Sequence, residues 1–542
     1  MITFAYVVET AGIEALLYGT DAGRVDQAMK AVAKDIKPGQ TGSRELVIGK
    51  AAVELSRLGS LEAPASTLAE VRRSLDEFLT KNDDKWAKWL KARAMIAAGE
   101  RNEAKAVLKS AADGPDGLCV AILDQADLLV DEGKLEEAIP LFDNVLKQSK
   151  DHPLAVLGKA MALAESTIDP NTAIDNLSVK LDKNVGPRVA AYRNLALAIA
   201  KTNIEDYANA TEALKKALAK PPVEPRFWTR VAWAQYVRGK FQEAAAARGK
   251  VAWYGKKDAQ DDPSVKLVDA ALSLASGEAD KTLAIATKLE GIRPRLLRAY
   301  AELDQKNAKG ALENLDWILE KAKDNLEAQI LKEEAKMIQG PVPPAAEALE
   351  KLARKAKSKI GRHALGMGYY LAGNAASAQP QLEQAVAELN EEAPNPLAYR
   401  TYAALAEIQL AAGKIPEAGK ALDESLKHNS GYFPSRVLQA KIVLRNGEPD
   451  RALNLLAPIR KEVSSADVDI LTIEAVCTSK KTSEKQKDEA KNGLAALKDK
   501  GNNEELAHAA AACDPKLVGE LGLSGAEKAA AKPDKKDRKH HH

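Results

Sequence analysis

The sequence predicts an all-α chain of about eleven repeated helix–turn–helix units, and three observations lead there. Alanine, leucine, lysine and glutamate dominate from end to end, which is a helix-forming vocabulary. Aromatic residues make up only 4% of the 542 residues and charged ones 29%, a poor fit to three or four ordinary globular domains with half-buried sheets. A short signature also recurs, in which a glycine is followed five residues later by alanine. It occurs at Gly99 with Ala104, Gly133 with Ala138, Gly239 with Ala244, Gly373 with Ala378, Gly413 with Ala418, and Gly447 with Ala452. Two of the steps between these glycines, Gly99 to Gly133 and Gly413 to Gly447, are 34 residues long.

Taken in order, the first 83 residues are helical by periodicity but lack the signature. Asp21 to Asp35 and Ser43 to Leu58 read as an antiparallel pair broken by Lys37-Pro38-Gly39, and Leu68 to Leu79 reads as a further helix. This is what a diverged repeat or N-terminal cap looks like. From 84 to 465 the units follow one another, with starts near residues 85, 119, 153, 189, 225, 263, 292, 326, 359, 399 and 433. Several are degenerate. The unit after Pro153 replaces the glycine turn with Ser166-Thr167-Ile168-Asp169-Pro170, and the one after Pro263 has Thr282 where alanine belongs. Pro140 and Pro380 fall about one turn inside second helices and predict local bends, whereas Pro416 and Pro449 stand at helix starts. From 466 to 524, Asp467–Cys477, Ser483–Lys498 and Asn503–Cys513 read as closing helices with a polar outer face. The stretch 525–542 is an Ala/Lys/Asp tail of disordered composition, and His540 to His542 resemble the stub of an affinity tag.

Residues 362–394 carry the fullest version of the pattern: Leu365, Gly366, Tyr369 and Gly373, then Ala378, Leu382 and Ala385. The unit with Trp228, Ala232, Gly239, Phe241 and Ala244 is nearly as complete, and Tyr207, Ala210, Leu214, Ala217 and Pro222 fill the unit before it. This pattern resembles the tetratricopeptide repeat, a 34-residue pair of helices. The resemblance implies a right-handed superhelical solenoid in which small residues let neighbouring helices approach and larger ones fill the seams. It also implies that the first helix of each unit lines a concave groove. On that register Arg193, Asn194, Arg226, Arg230, Trp233, Tyr236, Arg293 and Tyr300 face the groove, with Trp86 and Trp89 as a second, weaker group, while Trp228 takes the family's packing position. Arginine beside aromatic rings suits an acidic segment or a C-terminal carboxylate of a protein partner. Asn194 with Arg226 and Arg230 also resembles the last two thirds of a carboxylate clamp, but the unit before them supplies no matching Lys/Asn pair.

No catalytic constellation accompanies this array: there is no phosphate-binding Gly-rich loop, GxSxG, HExxH or Cys/His ligand spacing. The expectation is therefore a non-enzymatic scaffold or adaptor with protein or peptide partners and no cofactor or metal. Two alternatives are the soluble part of a membrane-anchored or periplasmic envelope-assembly factor, and a substrate-recruiting subunit of an enzyme whose catalytic domain lies elsewhere. Lys and Arg number 79 against 77 Asp and Glu, so no bulk field attracts nucleic acid or an anionic membrane. The Arg354–Lys359 cluster reads as a solvated helix end. No run of 18 apolar residues occurs, and Ile2 to Tyr18, though apolar, contains Glu9 and Glu14 without a basic leader, which favours the cytoplasm. A segment upstream of Met1 would move that expectation to the periplasm. The alanine-rich composition is similar to that of bacterial arrays. Cys119 and Cys477 lie in apolar helical contexts and read as inert buried thiols, and the three cysteines form no CxxC or even framework.

Overall fold

The computed structural model describes residues 44–523 apart from 58–64, 99, 115, 167–168, 181–186, 205, 255–259, 357–358, 390–394, 499 and 501. The expected helix Asp21–Asp35, the apolar stretch Ile2–Tyr18 and the tail from 525 lie outside these residues. Among the described residues there are 28 α-helices and no strand. They run α1 (Arg44–Arg57), α2 (Ala65–Leu79), α3 (Lys85–Ala97), α4 (Arg101–Ala112), α5 (Cys119–Asp131), α6 (Leu135–Gln148) and α7 (Pro153–Ser166). The short α8 (Pro170–Asp175) continues as a π-helical turn to Lys180. Next come α9 (Pro187–Asn203), α10 (Tyr207–Ala219), α11 (Pro225–Val237), α12 (Phe241–Tyr254), α13 (Pro263–Ala275), α14 (Ala279–Ala286), α15 (Ile292–Asp304) and α16 (Ala308–Lys321). Then follow α17 (Leu326–Gln339), α18 (Val342–Ala356), α19 (Lys359–Leu371), α20 (Ala375–Ala387), α21 (Ala398–Ala411), α22 (Ile415–His428), α23 (Phe433–Arg445) and α24 (Pro449–Glu462). The chain closes with α25 (Ala466–Thr478), α26 (Glu484–Leu494), α27 (Asn503–Cys513) and α28 (Pro515–Glu520).

From α3 onward most odd-numbered helices of the array pack on the even-numbered one that follows, and most even-numbered helices pack on the next odd one. The reason is visible in the signature residues. Ala104, Ala138, Ala244, Ala378, Ala418 and Ala452, each five residues past the turn, have no exposed surface at all. At Gly366 even a methyl group is too much, because a Cβ would stand 2.5 Å from Leu382 Cδ2. The turn glycines adopt the left-handed conformation that ends a helix and reverses the chain, as at Gly239 with φ +70°. In the turn after α15 the same conformation falls to Lys306, the only non-glycine with positive φ among the described residues. Thr282 substitutes for the buried alanine by donating its hydroxyl hydrogen bond to Glu278 O at 3.0 Å. Helices α6 and α20 run on through Pro140 and Pro380.

The helices form two compact units. The first takes in the described residues of Met1–Leu274, Glu278–Ala364 and Glu388–Pro396, and the second those of Ala275–Gly277, Leu365–Ala387 and Leu397–His542. Within the first, turns separated by five helix pairs touch. Arg101 pairs with Asp262, a Cβ on Gly291 would meet Gly133 O at 3.1 Å, and a Cβ on Gly239 would meet Pro396 Cα at 3.0 Å. Within the second, Phe433 N donates to Ser276 O at 2.9 Å and Asn429 Nδ2 to Ala275 O at 2.8 Å.

The closing helices match expectation to within a few residues, but the cysteine reading needs correction. Cys477, at the end of α25, is bonded to Cys513, at the end of α27, with their Cα atoms 4.9 Å apart. Successive repeats bring equivalent positions side by side, so a separation of 36 residues, about one repeat, places the two sulfurs together. Cys119, half-buried at the start of α5, stands outside that bond and donates its thiol hydrogen to Gln148 Oε1 at 3.2 Å. Reduction, or Cys513→Ser, is expected to destabilise the packing of α25 on α27 by about 3–4 kcal/mol, the loop-closure value for that separation. Hydrogen exchange of α25 and α27 amides with and without reductant measures this, and unchanged exchange would count against it.

Candidate functional site

Four odd-numbered helices of the first unit, α5, α7, α11 and α15, turn polar side chains toward one another, joined by Arg101 at the start of α4 and Asp262 just before α13. Helix α5 is apolar except for Gln125 and three aspartates, Asp124, Asp127 and Asp131, which recur at intervals of three and four and so share one face. Asp124 and Asp131 are buried, as is Glu165 near the end of α7. A buried carboxylate needs a cation and hydrogen bonds, or it takes up a proton instead.

The cations come from α11 and α15, about 100 and 130 residues further along. Arg226 Nε donates to Asp131 Oδ1 at 2.7 Å, and its terminal nitrogens donate to Asp127 Oδ2 at 2.9 Å and Asp127 O at 3.1 Å. Arg230 bridges Asp131 Oδ1 and Glu165 Oε1, both at 3.2 Å. Arg293 reaches the other oxygen of Glu165 at 2.8 Å and lays its guanidinium 4.7 Å from the centre of the Trp233 ring. Arg101 approaches Asp131 at 3.7 Å and pairs with Asp262 at the start of α13. Four guanidiniums thus meet four carboxylates, leaving no surplus charge. Burial alone would push the Asp131 carboxyl up, but Arg226, Arg230 and Arg101 outweigh it and hold it below the ordinary 3.8. Arg226 is likewise lowered by burial and then carried well above its usual value by Asp127 and Asp131.

The space left over is a cavity of about 30 Å³ lined in part by Val130, Trp233, Ser264 and Leu267, room for about two water molecules. Trp233 stacks at 5.5 Å on Tyr236, and Tyr236 meets Phe241 at 5.9 Å; Trp233 and Tyr236 are half-buried. Tyr300 is buried and donates to Glu327 Oε1 at 2.8 Å. Arg193 and Asn194 lie half-buried on α9. The Trp86 and Trp89 pair forms an edge-to-face contact at 5.5 Å. Trp89 has no exposed surface and donates its indole hydrogen bond to Asp124 Oδ2 at 2.7 Å, where Arg93 also binds, while Trp86 stays half-buried beside it.

Arg226, Arg230, Trp233 and Arg293 therefore converge as the register places them, but on partners that the register did not supply: Asp127, Asp131 and Glu165. The signal for the two aspartates was their face-forming spacing on an otherwise apolar helix, and Glu165 had no such signal. Among the described residues no group of three His, Cys, Asp or Glu side chains is arranged to hold a metal, and no helix is long and apolar enough to cross a membrane.

Residues 123–166 and 183–251, which carry Asp127, Asp131, Glu165, Arg226 and Arg230, match the tetratricopeptide repeat model, and paired helices continue on either side of them. No curated protein matches the sequence. Similar solved structures include the anaphase-promoting-complex hetero-tetramer Cut9–Hcn1, at 12% identity and TM-score 0.42 over 92% of this chain and 94% of that one. A tetratricopeptide repeat protein from Parabacteroides merdae is 17% identical with TM-score 0.28, over 52% of this chain and 97% of its own.

Removing one partner from a buried ion pair leaves the other uncompensated, so Asp131→Asn should destabilise the first unit by about 3–5 kcal/mol at neutral pH. Because the folded carboxyl lies below 3.8, its contribution is complete above that value and fades as pH falls toward the folded one. The gap between the wild type and Asp131→Asn in thermal melts should therefore narrow from neutral pH to about pH 3. A gap that stays constant would mean that the carboxylate charge is not what the arginines hold.

Proposed function

We propose that this chain is a non-catalytic protein–protein interaction scaffold that offers its partners a braced, preformed array of helix pairs. The helical-repeat fold supports the general role. The finer reading rests on one observation, the complete internal pairing of Arg226, Arg230 and Arg293. An array whose curvature is already held loses little conformational freedom when a partner docks. In this reading the three arginines shape the wall, and Arg193, Asn194, Trp233 and Tyr236 contribute the part of the groove that keeps some exposure. The principal anchor is placed outside the groove. Trp253, 80% exposed near the end of α12, is by far the most open large apolar side chain among the described residues, and tryptophan is the residue type most often found carrying binding energy.

A second reading, an envelope-assembly factor working outside the cytoplasm, is favoured by the Cys477–Cys513 bond, because disulfides persist in oxidising compartments. Labelling of free thiols in fresh extracts of the source organism distinguishes the two: one reactive cysteine per chain supports the second reading, and three oppose it.

Co-purification from the same extracts tests the scaffold. Trp253→Ala is expected to lose at least about half of the recovered partner at an unchanged melting temperature, as removal of a binding anchor should. The double variant Arg226→Ala, Arg230→Ala is expected to melt lower while recovering the same partner per folded molecule. The reverse pattern would move the anchor to the inner wall, and the absence of any specific partner would remove the scaffold reading.

A further inference from the structure

The first unit touches itself at three places five helix pairs apart, and two kinds of force hold those contacts. Along the chain, cohesion is apolar: one core cluster joins α7 through α13 in sequence order, and another joins α5 to α7. Between turns the touching groups are small. Gly133 meets Gly291 backbone to backbone, and Gly239 meets Pro396, so little apolar area is covered there. What crosses from turn to turn is charge: Arg101 on Asp262, and Lys134 with Glu290 at 3.6 Å. Chords across the inner wall add Arg226 on Asp127 and Asp131, Arg230 on Asp131 and Glu165, and Arg293 on Glu165.

We propose that these ion pairs form a latch that closes one turn of the first unit onto the next and that can be released without unfolding the helices. The helix pairs keep their alanine contacts whether the latch is open or closed, because those contacts lie between sequence neighbours. The turn-to-turn contact has no comparable apolar store. When it opens, water hydrates both sets of charges and dissolved ions screen them, so added salt favours the open form. At about 1 M salt the screening length falls to about 3 Å, shorter than the separation of hydrated partners. The inference rests on the geometry of the first unit and not on the scaffold reading, so either can fail without the other.

The test is an intramolecular distance. Dyes are placed on Glu136→Cys and Lys288→Cys, both exposed and on either side of the Gly133–Gly291 contact, in a chain carrying Cys119→Ser. Cys477 and Cys513 are bonded to each other and do not take label. At physiological salt the energy-transfer distribution is expected to be a single short-distance population. Raising salt to about 1 M, or combining Asp131→Asn with Glu165→Gln, should increase the separated population at least about tenfold with helical circular dichroism unchanged. Combining Glu165→Met with Arg293→Met, which removes one charge of each sign but keeps bulk, should leave a larger fraction of the turn closed in high salt than in the parent. A distribution that moves neither with salt nor with the paired substitutions, while the helices stay intact, overturns the latch. If the paired variant does not fold, the salt series on the labelled parent decides alone, and an unmoved distribution there overturns it.

Discussion

Two helices can approach closely only where neither brings bulk to the crossing, and the rest of this structure depends on that constraint. The alanines five residues after each turn are fully buried, and Gly366 shows the limit, since its neighbour Leu382 already occupies the place of a Cβ. Such contacts bury little area each, so one helix pair cannot stand alone and must lean on the next. Close approach also fixes the angle between pairs. In the first unit that angle brings turns five pairs apart into contact, which is why Asp131 and Arg226, 95 residues apart in sequence, share a hydrogen bond.

Alanine contacts are nearly interchangeable from one unit to the next, whereas ion pairs are not. A helix that slipped by one repeat would still find alanine against alanine, but Glu165 and Asp131 would be buried without their guanidiniums. Exposed pairs such as Lys351 with Glu347 have no such consequence, because water replaces either partner at almost no cost. The buried charges of α5, α7, α11 and α15 thus act on register more than on net stability. Trp89 extends the same logic to the preceding pair, where one carboxylate, Asp124, serves an indole and the Arg93 guanidinium together.

What the sequence made legible was whatever depends on neighbours along the chain. A turn glycine with alanine five residues later marks a helix pair regardless of what lies across the groove, and the closing helices were readable from their own periodicity. The groove was legible on one side only. The register placed Arg226, Arg230 and Arg293 on a common wall, but their partners lie about 60 to 130 residues away, and the angle between units that unites them is not written in any local pattern. Trp89 illustrates the smaller failure. The register gives it a groove position, and the fold gives it no exposed surface, because a shift of one residue turns a side chain by about 100°. The cysteines were obscured by their odd number, although the spacing of Cys477 and Cys513 is close to the repeat length.

A repeat unit leans on its neighbours, and in the second unit α25 and α27 are tied to one another by further means as well. They are joined by the Cys477–Cys513 bond at one end and by charge further along. Arg445 pairs with both Glu474 and Glu505, and Lys441 binds Glu505 at 2.6 Å. Burial pushes the Glu474 carboxyl up and Glu505 adds to the effect, against the opposing pull of Arg445 and Lys441. A carboxyl raised in the folded state favours folding more as pH falls through its folded value, the opposite sense to Asp131 in the first unit. The Asp131 and Glu474 carboxyls therefore respond to acid in opposite directions, and the covalent bond, indifferent to protons, keeps α25 and α27 joined as Glu474 takes one up.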